Sequence, residues 1–331
     1  MSAGQSPRWI FRSNEADRIA QRFRYGVAFR IEVQSDHNLS LVVTTQARGS
    51  WSFDMDYAKP ADVVASMVDT SLKKLALDPQ DLLIRGALSG GLLGAATVLA
   101  FTGAVSTGQP IVGALIFPVS LVMIVLLGLE LVTGSFALVP LARLEGKATW
   151  GAVIANWSRV FVANLLGSIA FGVLIAISLT NMGKVDVTRV AARIVAVAEA
   201  KTVGNAALGT AGMVSVFVKG ILCNWLVCLG VVMAMTSTST VGKIAATWLP
   251  IFSFFALGFE HAVVNMFVIP TGMLLGAKVS VHDWWVWNQI PVTLGNLVGG
   301  FVFTGLALYT TFKPAQQTVP TSSVPVQAAA E

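Results

Sequence analysis

Long apolar stretches separated by short polar ones dominate the chain from residue 86 to residue 312. A transmembrane helix needs about 20 mostly apolar residues, so each stretch is long enough to span a membrane. The second stretch is too long and too interrupted by polar residues for one simple helix, and the fifth also contains a polar break, which predicts a broken helix in each. An even number of spans places both termini on one side of the membrane. The six predicted spans are residues 86–105, 111–139, 151–179, 212–235, 244–276 and 289–312.

Segments outside the spans have a different character. Residues 60–81 have apolar side chains at helical spacing, which predicts an amphipathic helix at the membrane surface. Residues 1–58 carry seven arginines and no long apolar run, and Met55 is an alternative start. The sequence therefore predicts an accessory or disordered N-terminal extension at 1–58, a membrane domain at 59–313 and a disordered C-terminal tail at 314–331.

The composition agrees with a polytopic membrane protein. Hydrophobic residues make up 55% of the chain and charged residues 12%, with a mean hydropathy of +0.72, whereas soluble domains carry about 25% charged residues. The net charge of +5 comes without a basic cluster interleaved with aromatic residues, which argues against a nucleic-acid partner. Cys223 and Cys228 lie on different helical faces of one apolar segment, so neither a disulfide nor a metal site is expected. The sequence indicates no cofactor.

The basic residues near the span ends predict the orientation. More of them lie on the side of the termini, and because cytoplasmic loops collect Lys and Arg, both termini are expected to be cytoplasmic. The residues on that side are Lys73, Lys74, Arg85, Arg143, Lys147, Arg159, Lys243 and Lys313. Those on the other side are Lys184, Arg189, Arg193, Lys201, Lys219 and Lys278.

The two halves of the membrane region repeat each other. "RGALSGGLLGAATVLA", which starts at Arg85, corresponds to "KGILCNWLVCLGVVMA", which starts at Lys219. The second span recurs in the fifth at one constant offset, with Gly128, Glu130 and Pro140 matched by Gly258, Glu260 and Pro270. The third recurs in the sixth at nearly the same offset, with Asn156, "NLLG" at 164–167 and Phe171 matched by Asn288, "NLVG" at 296–299 and Phe303. Three spans therefore align in order.

The repeat predicts how the halves enter the membrane. Each copy has three spans, an odd number, so the second copy is inverted relative to the first. Inverted repeats place a substrate pathway near the midplane, between broken helices. The predicted breaks are "GLELVTGS" in the second span and "GFEHAVVN" in the fifth. The expected fold is an all-α membrane protein with six transmembrane spans in two inverted three-helix repeats.

At these motifs the sequence resembles the formate–nitrite transporter family, the formate, nitrite and hydrosulfide channels of bacterial and archaeal inner membranes. The resemblance covers residues 59–313 and leaves the extension outside. It implies an aquaporin-like protomer with broken second and fifth helices, a homopentamer with one pore per protomer, and a bacterial inner-membrane location. The motifs are "GLELVTGS", "KGILCNWLVC", "GFEHAVVNMFVIP" and "NQIPVTLGNLVGG".

The resemblance also implies roles for individual residues. His261 matches the central pore histidine, Thr133 the threonine that faces it, and Asn224 the pore asparagine. Glu260 and Asn265 match residues that support the broken fifth helix, and Glu130 is the counterpart of Glu260 in the repeat. The matched constriction residues are Phe117, Leu121 and Leu131 on one side and Val227 and Phe254 on the other.

Lys201 is the candidate for a lysine that the family places at the outer vestibule. It lies further before Asn224 than the family's lysine does, in a longer loop, so its spacing departs from the family pattern.

The chemistry of an anion in a membrane suggests what these residues do. A bare charge in hydrocarbon costs several kcal/mol, so a pore must line the path with polar groups or neutralise the passenger. A single histidine between apolar constrictions favours neutralisation, because an arriving anion favours the protonated imidazole, which can pass on its proton. Thr133 and Asn224 would orient the passenger. Glu130 and Glu260 are interpreted as structural carboxylates that accept backbone N–H groups at the breaks.

The expected function is therefore a channel for formate or nitrite, in which passage is coupled to protonation. One alternative is a hydrosulfide channel of the same family. Another is an aquaporin-like channel for neutral solutes, although the paired Asn-Pro-Ala boxes of such channels are missing from the sequence. Enzymatic activity is not expected, since His261 has no Asp or His partner nearby in the sequence. Without the repeat and motifs, His261, Phe117 and Phe254 would be interpreted as packing residues.

Overall fold

The structure is a computed structural model that describes residues 56–186 and 189–313. The extension predicted at 1–58 and the tail predicted at 314–331 lie outside these ranges, apart from residues 56–58. The described chain is helical. Its helices are α1 (Pro60–Leu75), α2 (Pro79–Thr107), α3 (Pro110–Leu126), α4 (Val132–Leu144), α5 (Trp150–Thr180), α6 (Arg189–Lys201), α7 (Val203–Ala206), α8 (Gly209–Ala234), α9 (Thr240–Ala256), α10 (Ala262–Leu274) and α11 (Val281–Phe312).

Four of the helices, α2, α5, α8 and α11, are long and apolar enough to cross a membrane. They correspond to the predicted first, third, fourth and sixth spans. The predicted second and fifth spans are each built from two shorter apolar helices, α3 with α4 and α9 with α10. The predicted helix breaks are therefore present in both.

Two glycines produce the breaks. Gly128 ends α3 at φ +62°, and Gly258 ends α9 at φ +68°. Glycine adopts this left-handed conformation without a steric penalty, which is why it commonly ends helices. The chain then runs extended through Leu131 and His261 before α4 and α10 begin. The two breaks thus share one backbone design.

Small residues allow the long helices to pack closely. α2 lies along α5, and α8 lies along α11. A Cβ atom on Gly167 of α5 would lie 1.8 Å from the Ala87 carbonyl oxygen, and one on Gly299 of α11 would lie 2.2 Å from that of Ile221. Both glycines belong to the repeated "NLLG" and "NLVG" segments. The repeated glycine therefore marks the point of closest backbone approach in each helix pair.

Helix α1 ends at Leu75, earlier than the predicted residue 81. The reason is local, because Asp78 caps α2 by accepting a hydrogen bond from the Gln80 N–H, and Pro79 starts the helix. The apolar face of α1 is buried against the protein. It forms a cluster of Val63, Val64, Met67, Leu138, Leu141, Val232 and Tyr309.

Helix α6 was not predicted, since the sequence suggested only a polar stretch after the third span. Its Ala191, Ile194 and Ala198 are buried, while its basic residues Arg189 and Arg193 are exposed. Its small side chains let it pack closely on α10, where a Cβ on Gly272 would lie 2.5 Å from the Ala198 Cβ. The narrow apolar stripe of α6 is too short to resemble a span.

Candidate functional site

A small, mostly apolar cavity, which we call the central cavity, lies between the two broken helices. Its volume is about 10 Å³, close to the minimum that holds one water molecule. All five predicted constriction residues line it together with His261, rather than forming two separate sides. The lining residues are Leu93, Phe117, Ser120, Leu121, Leu131, Val227, Ile251, Phe254 and His261.

Aromatic rings close this cavity. Phe117 stacks on Phe255 with ring centroids 4.0 Å apart and meets the edge of Phe254 at 5.7 Å. The Phe254 ring in turn lies nearly parallel to the His261 imidazole, at 5.8 Å. A solute in this space would contact hydrocarbon and aromatic surface with the imidazole as its main polar neighbour.

The geometry of His261 fixes which ring nitrogen carries the proton. His261 caps α10, and its Nδ1 accepts a hydrogen bond of 3.2 Å from the Val264 backbone N–H. Because that N–H can only donate, Nδ1 is unprotonated and the neutral ring carries its proton on Nε2. Nε2 lies 3.1 Å from Thr133 Oγ1, which accepts a hydrogen bond from the Nε2–H. The predicted partnership of His261 and Thr133 is thus present in the structure.

Asn224 lies beside this pair but does not line the cavity. Its Nδ2 donates to the Thr133 carbonyl at 3.0 Å and to the Asn296 carbonyl at 2.6 Å. Its Oδ1 is buried and has no hydrogen-bond partner among the described residues. Cys228 also donates its thiol to the Thr133 carbonyl, at 3.3 Å. Both side chains hold the backbone that positions Thr133.

The two glutamates at the breaks pair with lysines from distant segments. Glu130 Oε2 accepts from Lys74 Nζ at 2.7 Å, and Glu260 Oε2 accepts from Lys201 Nζ at 2.6 Å. Both carboxylates are buried. Lys74 belongs to α1 and Lys201 to α6, so a helix that precedes each half is attached to the break of that half.

The expectation that these carboxylates accept backbone N–H groups was wrong. Two asparagines perform that function instead. Asn164 Oδ1 accepts from the Val132 N–H at 2.9 Å, and Asn296 Oδ1 accepts from the Ala262 N–H at 2.8 Å. The carboxylates are occupied by lysine ammonium groups, which are stronger partners for a buried charge.

The amide nitrogens of Asn164 and Asn296 also donate to backbone carbonyls, one at the break itself and one in a neighbouring long helix. The Asn164 Nδ2 donates to the carbonyls of Gly86 at 2.8 Å and Glu130 at 2.9 Å. The Asn296 Nδ2 donates to those of Gly220 at 2.8 Å and Glu260 at 2.9 Å. These asparagines were detected in the sequence as parts of the repeat, but were given no role.

The halves differ around their carboxylates. Asn265 donates to Glu260 Oε2 at 2.8 Å and to Asn288 Oδ1 at 2.7 Å, which agrees with its predicted support of the fifth helix. Its counterpart in the repeat is Ser135, whose buried hydroxyl has no hydrogen-bond partner in the described chain. Glu260 therefore has a richer set of donors than Glu130.

Two larger cavities lie on either side of the constriction residues. One, the Glu130-side cavity, has a volume of about 360 Å³ and shares Leu121 and Leu131 with the central cavity. Its basic lining residues are Lys73, Lys74, Arg85 and Lys243. The other, the Phe255-side cavity, has a volume of about 240 Å³. Lys201, the candidate vestibule lysine, lines neither of them.

Comparison with known proteins decides the family. The formate/nitrite transporter family model matches residues 61–310, most of the chain. The chain belongs to the formate/nitrite transporter family. A probable formate transporter of Methanothermobacter thermautotrophicus is 39% identical over 204 residues, which cover 60% of this chain and 73% of that protein.

Solved structures of the family agree with this assignment. An FNT family ion channel aligns with a TM-score of 0.66 at 28% identity, over 75% of this chain and 98% of that one. A pentameric formate channel with formate bound aligns with a TM-score of 0.56 at 26% identity, over 73% of this chain and 97% of that one. As a formate/nitrite transporter family member, this chain is a multi-pass membrane protein that transports anions and is not an enzyme.

Proposed function

We propose that the chain forms a homopentameric channel for formate or nitrite in the bacterial inner membrane, with one pore in each protomer. In this proposal the two halves form inverted repeats of three spans, and both termini are cytoplasmic. The observation that carries the proposal is the position of His261. His261 is the titratable residue in the lining of a mostly apolar cavity, and its Nε2 lies 3.1 Å from Thr133 Oγ1.

The path itself supports neutralisation of the passenger. The central cavity has room for about one water molecule, so an anion that enters it leaves its hydration shell behind. A bare monovalent charge among Phe117, Leu121 and Phe254 would be strongly unfavourable. Protonation converts formate or nitrite into a small neutral acid, for which the same apolar surface is a weak barrier.

His261 provides a means of coupling protonation to the arrival of the anion. Protonation of Nδ1 breaks the bond from the Val264 N–H, which costs about 1 kcal/mol before the burial of charge is counted. An anion beside Nε2 offsets this cost by its attraction to the imidazolium. The imidazolium then passes its Nε2 proton to the anion, which leaves the neutral ring with its proton on Nδ1. Loss of that proton and uptake of one at Nε2 restore the resting tautomer and its bond from the Val264 N–H. The ring thus holds a second proton only while an anion is present.

Proteoliposome flux tests the proposal. Purified protein is reconstituted, and uptake of formate, nitrite, hydrosulfide, lactate and the neutral solute glycerol is measured at two pH values, with empty liposomes as the control. We expect formate and nitrite uptake well above the control, rising at the lower pH. Uptake of a neutral solute such as glycerol, without uptake of either anion, would instead favour the aquaporin-like alternative. Uptake of hydrosulfide alone would favour the other alternative in the family.

A further inference from the structure

The Phe255-side cavity has an arginine in its wall. Its lining includes Phe101, Ala104, Pro110, Arg193, Phe255 and Gly258. Arg193 is exposed on α6, and its guanidinium carbon lies 5.9 Å from the centroid of the Phe101 ring. A ring face attracts a cation at this distance and so keeps the guanidinium at the cavity wall.

The charge of Arg193 is available to a solute. In the part of the chain that the structure describes, no carboxylate lies within ion-pair distance of it. Glu199, on the same helix, is engaged elsewhere, because it accepts the Lys278 backbone N–H at 2.8 Å. Lys201 is compensated by Glu260 at 2.6 Å and is mostly buried. Of the two cations Arg193 and Lys201, the arginine is therefore the one that presents net positive charge to this cavity.

The cavity lies next to the constriction. Phe255 lines it and stacks on Phe117, which lines the central cavity. The adjacent residue, Phe254, lines the central cavity as well. An anion held near Arg193 is thus separated from the His261 cavity by the Phe255 ring and its stacking partner.

We propose that Arg193, rather than Lys201, is the residue that concentrates small monovalent anions on this side of the constriction. This inference rests on the proposed transport of formate or nitrite. A guanidinium suits these planar anions, because its paired N–H donors match two anion oxygens. Its charge also does not titrate, so capture stays constant while protonation at His261 varies with pH.

The test is the salt dependence of formate influx in vesicles of each orientation, at formate concentrations far below saturation. A charge about 5 Å from its ligand in water changes local anion concentration about fourfold, so Arg193→Gln should slow influx by about that factor at low ionic strength. Sodium sulfate added on both sides at about 0.5 M should remove most of the difference by screening. Because a passive pore has the same permeability in both directions at such low concentrations, the effect should be of equal size in both vesicle orientations.

Three variants make the result specific. Arg189→Gln is the matched control, because Arg189 lies one turn away, donates to the Val105 carbonyl and does not line the cavity. Arg193→Lys should retain most of the rate. Adding Ala256→Lys to Arg193→Gln should restore the rate at low salt, since Ala256 lines the same cavity at the end of α9.

Several outcomes would overturn the inference. An equal loss of rate at both salt concentrations would show a structural role for Arg193, and no loss at either would show no role in capture. Failure of Ala256→Lys to restore any rate would also count against it. If the unaltered protein conducts neither formate nor nitrite, the proposed function itself fails, which is a separate result.

Discussion

Removal of Lys201 should destabilise the protein strongly because it leaves a buried carboxylate without a countercharge. The side chains of Lys201 and Glu260 are 19% and 7% exposed, so their ion pair is largely shielded from water. Breaking such a pair on one side costs about 3–5 kcal/mol. In Lys201→Met, the Glu260 carboxylate keeps only the amide donors of Asn265 and Asn288. At roughly 2–4 °C per kcal/mol, the melting temperature should fall by about 10 °C.

The reverse change should cost less. In Glu260→Gln the lysine, which is the more exposed partner, can turn its ammonium toward water. The double variant Lys201→Met with Glu260→Gln should be more stable than Lys201→Met alone, because no buried charge remains. Thermal unfolding of the purified oligomer, followed by size-exclusion chromatography with fluorescence detection, measures all three.

Two matched variants calibrate the measurement. Lys74→Met breaks the equivalent pair with Glu130, whose side chains are 13% and 5% exposed, and should cost a similar amount. Lys73→Met breaks the exposed pair with Asp69 and should cost at most about 1 kcal/mol. If Lys201→Met is no more harmful than Lys73→Met, or if the double variant is worse than both single ones, the ion pair does not hold the break.

Three further predictions concern the breaks and the N-terminal segment. Asn296→Ala and Asn164→Ala should each lower the yield of folded oligomer in a detergent-stability assay, since each removes the side-chain partner of two backbone groups at a break, at about 1–3 kcal/mol apiece; unchanged yields would contradict this. Gly258→Ala should cost only about 1–2 kcal/mol in thermal unfolding, since φ is +68° but no described atom would meet the added methyl group. Asp56→Ala should speed amide hydrogen exchange at Thr238 and Ser239, because the Asp56 carboxylate accepts hydrogen bonds from both of their N–H groups. Equal exchange rates in the two proteins would count against this.

The pH dependence of the Asp56 contact follows from its pKa. The hydrogen bond from the Ser237 hydroxyl is the largest cause that holds the pKa of Asp56 well below its usual range, followed by that from the Ser239 N–H. A lowered pKa means that the contact is complete above the unfolded-state pKa of about 4 and is lost as the pH falls toward the folded-state value. The slowing of exchange that Asp56 gives these amides, relative to Asp56→Ala, should therefore stay constant between about pH 5 and pH 8.

The helix breaks were predictable because each depends on residues close together in the sequence, and because the same pattern occurs in both halves. Gly128 and Gly258 occupy equivalent positions in the repeat, and each is followed at the second position by a glutamate in an otherwise apolar stretch. A left-handed glycine and a buried charge both leave a signal in the sequence itself. The constriction residues and His261 came from the family motifs, and five of five constriction residues line one cavity with His261.

The partners of the buried charges were not predictable in the same way. Lys74 lies 56 residues from Glu130, and Lys201 lies 59 residues from Glu260, in helices that have no fixed spacing to the breaks. Each lysine resembles an ordinary flanking basic residue until the fold brings it to a carboxylate. Asn164 and Asn296 did leave a signal, since polar residues repeated inside apolar spans must have hydrogen-bond partners.

Formate flux as a function of pH measures whether His261 titrates as the anion passes. The unaltered protein and His261→Asn are reconstituted in parallel, and initial rates are measured from about pH 5 to about pH 8. Asparagine keeps a hydrogen-bond donor near Thr133 but cannot titrate, whereas His261→Phe removes both and should abolish flux. We expect His261→Asn to conduct formate at a rate that depends less on pH than that of the unaltered protein, because asparagine does not titrate. Identical pH profiles for the two proteins would show that His261 is not the titrating group.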